Sequence, residues 1–292
     1  MRGSAAELRL LHRLLTPLTI VPTGHPVSFS PANAKVVVFD IYGTLLSSSA
    51  GDVGVDAASG NEDSFWEALE DAGFIAANKR PYSPQPEMLE KTIQKVRQQR
   101  QAAGVVYPEI DILAIWHQVV ERLGFTGFSS SMLRLAALSY ECRVNPVWPM
   151  PGLSGVLSFL SRSKVLVGIL SNAQFYTPLL LEMILEQSLA EAGFDEELMV
   201  WSYLEKRGKP ALELFTEMNA RLEYKGIAPK DVLYIGNDMR KDIHPANRAG
   251  WQTVLFAGDA RSLRLYPDDV ELNDEHPDMV INALDQLVAI LT

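Results

Sequence analysis

The sequence predicts an α/β protein in which a parallel sheet is layered between helices and interrupted after its first strand by an all-helical insertion. Three observations carry this. Four short runs are almost wholly apolar, and each ends in small or polar residues. Helical periodicity fills the intervals between the later runs. From residue 51 to residue 145, helical stretches follow one another without a convincing buried strand.

The first run is Lys35-Val36-Val37-Val38-Phe39, ending at Asp40. The others are 164–170, ending at Ser171-Asn172; 231–235, ending at Gly236-Asn237-Asp238; and 252–256, ending at Ala257-Gly258. Strands without polar alternation are buried on both faces, as a parallel sheet under two helix layers requires. Helices are expected at 153–160, 178–190, 211–223 and 281–291, giving strand–helix alternation with right-handed crossovers. Within an N-terminal extension of residues 1–30, Leu8, Leu11, Leu14 and Leu15 recur at helical spacing. They predict a short amphipathic helix whose apolar stripe docks on the body, on another subunit or on a membrane surface.

The insertion opens with a serine-, glycine- and alanine-rich loop through Asn61, suited to a hinge and lid. Phe65, Trp66 and Leu69 form one apolar patch, and Ser83-Pro84-Gln85-Pro86 starts a second helix running toward Gly104. A third follows Pro108 with Ile112, Ile115, Val119 and Leu123, and a fourth carries Met132, Leu135, Ala136 and Leu138. Four such stripes can pack as a small bundle, with Trp116 in its core. Pro146, Pro149 and Pro151-Gly152 mark the return. The expected layout is therefore a core in two parts, 31–50 and 146–292, around a helical cap at 51–145.

Composition narrows the function. The chain has 292 residues, enough for a sizeable core, and 36 acidic against 26 basic residues give a net charge of −10. That balance opposes nucleic-acid binding but leaves room for a small anionic ligand in a locally positive pocket. The single cysteine, Cys142, excludes an internal disulfide, a thiolate zinc cluster and a paired-cysteine redox motif. His12, His25 and His276 have no zinc-ligand spacing. No glycine-rich dinucleotide fingerprint or phosphate-binding Walker loop occurs, so no nucleotide cofactor is implied. Glu7, Arg9, His12 and Arg13 break the N-terminal apolar stretch, and no long uncharged run suggests a membrane span. The expected location is cytoplasmic. Nothing in the sequence specifies an oligomeric partner.

Ligands of open parallel sheets bind beyond the carboxyl ends of the strands. Asp40, Gly43-Thr44, Ser171-Asn172, Lys209, Asp238 and Asp242 all belong to that rim. Taken singly, Asp40 or Asp238 reads equally well as a helix cap, Thr44 and Ser171 as turn residues, and Lys209 as a solvated base. Taken together, four chain segments converge with acid-rich chemistry and one cation. Asp238 and Asp242, four apart, share a helical face and with Asp40 offer hard oxygen ligands to Mg2+. Lys209 can neutralise an anion whose oxygens are bonded by Thr44, Ser171 and strand-tip amides. Asp40 would then be free to attack phosphorus.

These segments resemble the motifs of the haloacid dehalogenase-like hydrolase superfamily. Asp40-Ile41-Tyr42-Gly43-Thr44-Leu45 is similar to its first motif, Ser171-Asn172 to its second and Lys209-Pro210 to its third. Gly236-Asn237-Asp238-Met239-Arg240-Lys241-Asp242 is similar to its acidic fourth. The resemblance covers about 33–50 and 146–292. It implies a Rossmann-like core with strand order 5-4-1-2-3 and a mobile helical cap. It also implies that Asp40 is a nucleophile forming an aspartyl intermediate, and that Thr44 and Ser171, with Gly43 and Asn172, hold the transferred group. Lys209 would steady both, and Mg2+ would sit on Asp40, Asp238, Asp242 and the backbone carbonyl of Tyr42.

Position 42 departs from the pattern of the ordinary phosphatases, which carry a second aspartate there as acid and base. A phenol of pKa about 10 is a poor general base at neutral pH. Tyrosine at this position resembles the 2-haloacid dehalogenase branch, whereas the acidic fourth motif resembles the metal-dependent one. Two carboxylates beside Asp40 repel it unless a cation sits among them, so the sequence favours a magnesium-dependent phosphate-ester hydrolase. Carbon–halogen hydrolysis and a weakly active or regulatory role are the alternatives. The cap offers the bases Lys79-Arg80, Lys91, Lys95, Arg97, Arg100, Arg122 and Arg134, of which Lys91, Lys95, Arg97 and Arg100 are expected on the solvated face of one helix, or one or two of them in the cleft. His117 reads as surface, and His244 as a neighbour of the metal site rather than a ligand.

Overall fold

A computed structural model describes residues 3–50, 62–76 and 87–292. The chain begins with α1 (Ala5–Leu14), β1 (Val36–Phe39) and β2 (Leu46–Ser48). Four helices follow: α2 (Glu62–Asp71), α3 (Glu87–Ala102), α4 (Ile112–Arg122) and α5 (Ser130–Val144). After β3 (Val147–Pro149) come α6 (Leu153–Arg162), β4 (Leu166–Ser171), α7 (Tyr176–Leu185), β5 (Phe194–Trp201) and the short α8 (Ser202–Glu205). The remainder is α9 (Leu212–Tyr224), β6 (Val232–Gly236), α10 (His244–Arg248), β7 (Gln252–Phe256), β8 (Met279–Ile281) and α11 (Gln286–Leu291). Lys79-Arg80, the Ser83-Pro84-Gln85-Pro86 helix start and residues 51–61 of the expected hinge lie outside the described residues.

Six parallel strands form one sheet in the order β5-β4-β1-β6-β7-β8. This is the expected Rossmann-like order with β8 added at one edge. Every residue of β1 is fully buried because alternate side chains enter two different layers. Val37 and Phe39 face the larger core with α6 and α7, while Val36 and Val38 pack with Phe215, Met218 and Trp251 on the other side.

Several elements differ from the sequence reading. The strand β5 is unannounced because Asp195, Glu196 and Glu197 interrupt its apolar pattern. It lies at the sheet edge, where acids stay in water. Ile281 belongs to β8 rather than to the tail helix, which starts at Gln286. The helix expected to reach residue 190 ends at Leu185, where Glu186 takes a left-handed φ of 57°.

Helices α2–α5 occupy the chain between β2 and β3, which pair antiparallel as a stem. That stem was not legible in the sequence. Asn145 closes it by accepting from Ser48 Oγ at 2.6 Å and from the Ala50 amide at 3.1 Å. Phe65 stacks on Trp116, centroid distance 5.5 Å, in the apolar centre of these helices. Lys91 pairs with Glu87 and His117 with Glu121 on exposed faces, as expected. Arg100 instead bonds the Lys206 carbonyl of the core, and Arg134 reaches Glu7.

The N-terminal helix docks on the body. A Ser4–Glu7 capping box starts it, Leu10 and Leu11 are buried, and it packs on α5 and α7. Glu7 receives Arg134 Nε at 2.7 Å, and that guanidinium lies 4.2 Å from the centre of the Phe175 ring. Beyond it the chain follows the core edge, where Ser28 pairs with Val280. Among the described residues no helix is long and apolar enough to cross a membrane.

Candidate active site

The strand order makes the site. From β1 the chain goes to β4 and β5 on one side, then to β6 and β7 on the other, so β1 is the point where connections diverge. Phe39 pairs in register with Ile169 and Ile235, and the next residue, Asp40, anchors its amide on the Ile235 carbonyl at 2.9 Å. Asp40 therefore stands between the tips that carry Ser171 and Gly236.

Lys209 is the hub. Its Nζ lies 2.7 Å from Asp40 Oδ1 and 2.5 Å from Asp242 Oδ1, and it donates to the Tyr234 hydroxyl at 3.2 Å. All four side chains are buried. Burial pulls the Lys209 ammonium toward neutrality, but Asp242 and Asp40 overcome this and hold it above its ordinary pKa. Burial pushes the Asp40 carboxyl up to about 7 against the pull of Lys209, and Asp242 adds to the rise.

Asp242 is saturated. Its Oδ1 accepts from Lys209 and from Tyr234 at 3.0 Å, and its Oδ2 accepts from the amides of Asn237 at 3.1 Å and Asp238 at 3.0 Å. A carboxylate offers about four acceptor positions, and these four donors use them. Close approach of Asp242 to β6 requires glycine at 236, where a Cβ would collide with the Asp242 carboxyl. The expectation that Asp242 contacts a metal thus meets a different geometry, in which it anchors Lys209.

Asp238 caps the π-helical turn Met239–Ile243, its Oδ1 accepting from the amides of Arg240 and Lys241 at 2.8 Å each. Its Oδ2 accepts from the Tyr266 hydroxyl at 2.9 Å. The capping role that its sequence position also allowed is therefore present. Burial, with Asp242 nearby, raises its pKa. His244 Nδ1 lies 2.8 Å from Glu275.

Sequence reasoning placed Asn237 in the fourth motif without a role of its own, and missed Tyr234. Asn237 Oδ1 accepts from Thr44 Oγ1 at 2.9 Å while its Nδ2 donates to the Ser262 carbonyl at 2.7 Å, joining the first and fourth segments. Gly43 between them has φ +84°. Tyr234 sits inside an apolar strand, where its hydroxyl gives no periodic signal; the Leu170 carbonyl lies 3.0 Å from that hydroxyl as an alternative acceptor for its single proton.

On the other side, Ser171 bonds to Asp40 and favours its ionised form, while its hydroxyl also lies 3.0 Å from the Asn172 carbonyl. Asn172 Oδ1 accepts from the Lys209 amide at 2.7 Å, so the second and third segments are directly linked. The Tyr42 hydroxyl lies 3.0 Å from Thr177 Oγ1.

Among the described residues no three His, Cys, Asp or Glu side chains are gathered as a metal centre. The chemistry of the donors nevertheless suits a hard cation. Asp40 and Asp242 flank the buried Lys209 ammonium and Asp238 is a third buried carboxylate influenced by Asp242; Asp40 and Asp238 have raised pKa values.

The fold and this rim define an α/β protein with a helical cap and an aspartate–lysine centre. Residues 206–287 match the HAD-hydrolase-like family, and no curated protein matches the chain. A 2-haloacid dehalogenase from Pseudomonas syringae pv. tomato DC3000 has the same fold at TM-score 0.57 and 21% identity, covering 88% of this chain and 97% of that one. The HAD-hydrolase YfnB from Bacillus subtilis, bound to magnesium, gives 0.49 at 16% identity and covers 89% and 99%. A HAD phosphatase from Thermococcus onnurineus gives 0.49 at 18%, covering 87% and 95%. The chain thus shares the fold of a 2-haloacid dehalogenase, with an inserted helical cap, and its residues 206–287 are similar to the HAD-hydrolase-like family.

Proposed function

We propose that the chain is a phosphate-ester hydrolase that uses Asp40 as nucleophile and Mg2+ as cofactor, acting on a small anionic substrate under the cap of residues 51–145. The observation that carries this reading is the surplus of buried carboxylate around Lys209. Asp40, the Tyr42 backbone carbonyl and Asp238 would hold the metal, while Asp242 keeps Lys209 in place. The cation would supply charge neutralisation between Asp40 and the phosphoryl oxygens.

In this scheme an Asp40 oxygen forms a bond to phosphorus as the ester oxygen leaves. Water then attacks the aspartyl phosphate, releasing inorganic phosphate and restoring the carboxylate. Lys209 orients Asp40 and balances charge, Ser171 and the amides near Gly43 and Asn172 bind phosphoryl oxygens, and Thr44, whose proton goes to Asn237, braces the first segment. Proton transfer to the leaving oxygen is not assigned to Tyr42, whose hydroxyl is engaged with Thr177.

A second reading, halide release from a 2-haloacid without metal, is favoured by Tyr42 and by Lys209, which already balances one of the two carboxylates it touches. A panel of phosphate esters and 2-chloroacids, assayed with Mg2+ and with EDTA, separates the two. Ester hydrolysis that disappears with EDTA and in Asp40→Asn is the expected result. Chloride release unaffected by EDTA, with no ester hydrolysis, would replace the first reading by the second.

A further inference from the structure

Between α3 and α4 the cap sends a loop into the core, and its key side chain is Glu109, an acidic residue that is nonetheless buried. Glu109 Oε2 accepts from Ser202 Oγ at 2.7 Å, and Oε1 accepts from Gln174 Nε2 at 3.1 Å and the Ile110 amide at 2.9 Å. Gln174 returns the contact, donating to the Ile110 carbonyl at 3.0 Å and accepting from the Ile112 amide at 3.1 Å. Alongside, the Gly208 amide donates to the Tyr107 carbonyl at 2.9 Å, and Arg100 bonds the carbonyls of both Glu109 and Lys206.

These contacts fall on segments that carry the site. Ser202 Oγ accepts from the Ala173 amide at 2.9 Å, fixing the turn after Asn172, and Asn172 in turn accepts from the Lys209 amide. The Gln174 amide donates to Thr177 Oγ1, the partner of Tyr42. A buried carboxylate is tolerated only where donors replace its lost water, so Glu109 is satisfied with the cap docked and regains hydration when the loop lifts.

We propose that Glu109 is a positioning residue. Docked cap contacts through Glu109 set the Asn172–Ala173 turn and the Lys209 segment, so the site is fully ordered only with this loop seated. The inference rests on Asn172 and Lys209 belonging to the site, but not on which bond is broken there.

Amide hydrogen exchange on the full chain tests it without reference to activity. In Glu109→Ala, the amides of Ala173, Gly208 and Lys209 are expected to exchange about tenfold faster, while those of β6 keep their wild-type rates. Glu109→Gln is expected to restore protection, because its amide can donate to Ser202 Oγ while the Ser202 proton turns to the Ala173 carbonyl, 3.3 Å away. If Glu109→Ala fails to fold, Ser202→Ala provides the readout at Lys209; at Ala173 it removes the amide's own acceptor, so only the Glu109 variants are read at both Ala173 and Lys209. Wild-type exchange at these two amides in a folded variant, with loosening confined to 105–112, would overturn the proposal. So would a Glu109→Gln protein as loose as Glu109→Ala.

Discussion

Lys209 Nζ lies 2.5 Å from Asp242 Oδ1, and the aspartate is as inaccessible to water as the interior of the sheet. Removing one partner of a buried ion pair typically costs about 3 kcal/mol or more, and here it leaves Lys209 with Asp40 as its carboxylate partner. Asp242→Asn is therefore expected to lower the unfolding free energy by about 3 kcal/mol in urea titrations. A loss below about 1 kcal/mol would show that Lys209 does not depend on this partner.

The pH dependence of Asp40 has a definite sign. Its carboxyl is raised from 3.8 to about 7, chiefly by burial, so the folded protein keeps a proton that the unfolded chain has released between those values. Its contribution to the unfolding free energy falls as pH rises through that window. Asp40→Asn does not titrate there. In EDTA, wild type is expected to lose stability relative to Asp40→Asn between about pH 4.5 and about pH 8. A difference independent of pH would contradict the assignment.

Gly43 holds the first and fourth segments at contact distance. A Cβ at this position would lie 2.5 Å from Ser262 Cβ and 2.6 Å from Asn237 Nδ2, with φ at +84°. Strain and overpacking together are expected to cost Gly43→Ala about 2–4 kcal/mol. Thermal unfolding checks this, and a wild-type melting temperature would refute the close approach.

Docking of α1 on the body predicts that its buried side chains behave as core. Leu11 is fully buried, so Leu11→Ala is expected to cost about 2–4 kcal/mol in chemical unfolding, whereas exposed Arg9→Ala is nearly neutral. Equal, small effects for both would mean that the helix is not part of the cooperative fold.

The burial pattern of β1, β4, β6 and β7 was legible in the amino-acid sequence because two-sided burial leaves an uninterrupted apolar run. Strand β5 escaped because an edge strand can keep Asp195, Glu196 and Glu197 in water. The short pair β2–β3 escaped because three residues are too few to establish a period. Glu109 lay in a loop, where no periodicity marks a residue for burial.

By itself the sequence determined the α/β class, the helical insertion and the polar residues delivered to the strand ends, since these follow from local periodicity and from where each apolar run stops. Only the tertiary structure decided the partners. It took the order β4-β1-β6 to bring Asp40 to Lys209, and the close turn at Gly236 to seat Asp242 on two backbone amides, leaving it to anchor the lysine. Asp238 closes a helical turn, and Asn237 and Tyr234 enter the site, for the same reason. Hydrogen bonds depend on which segments meet in space, and one-dimensional spacing does not encode that.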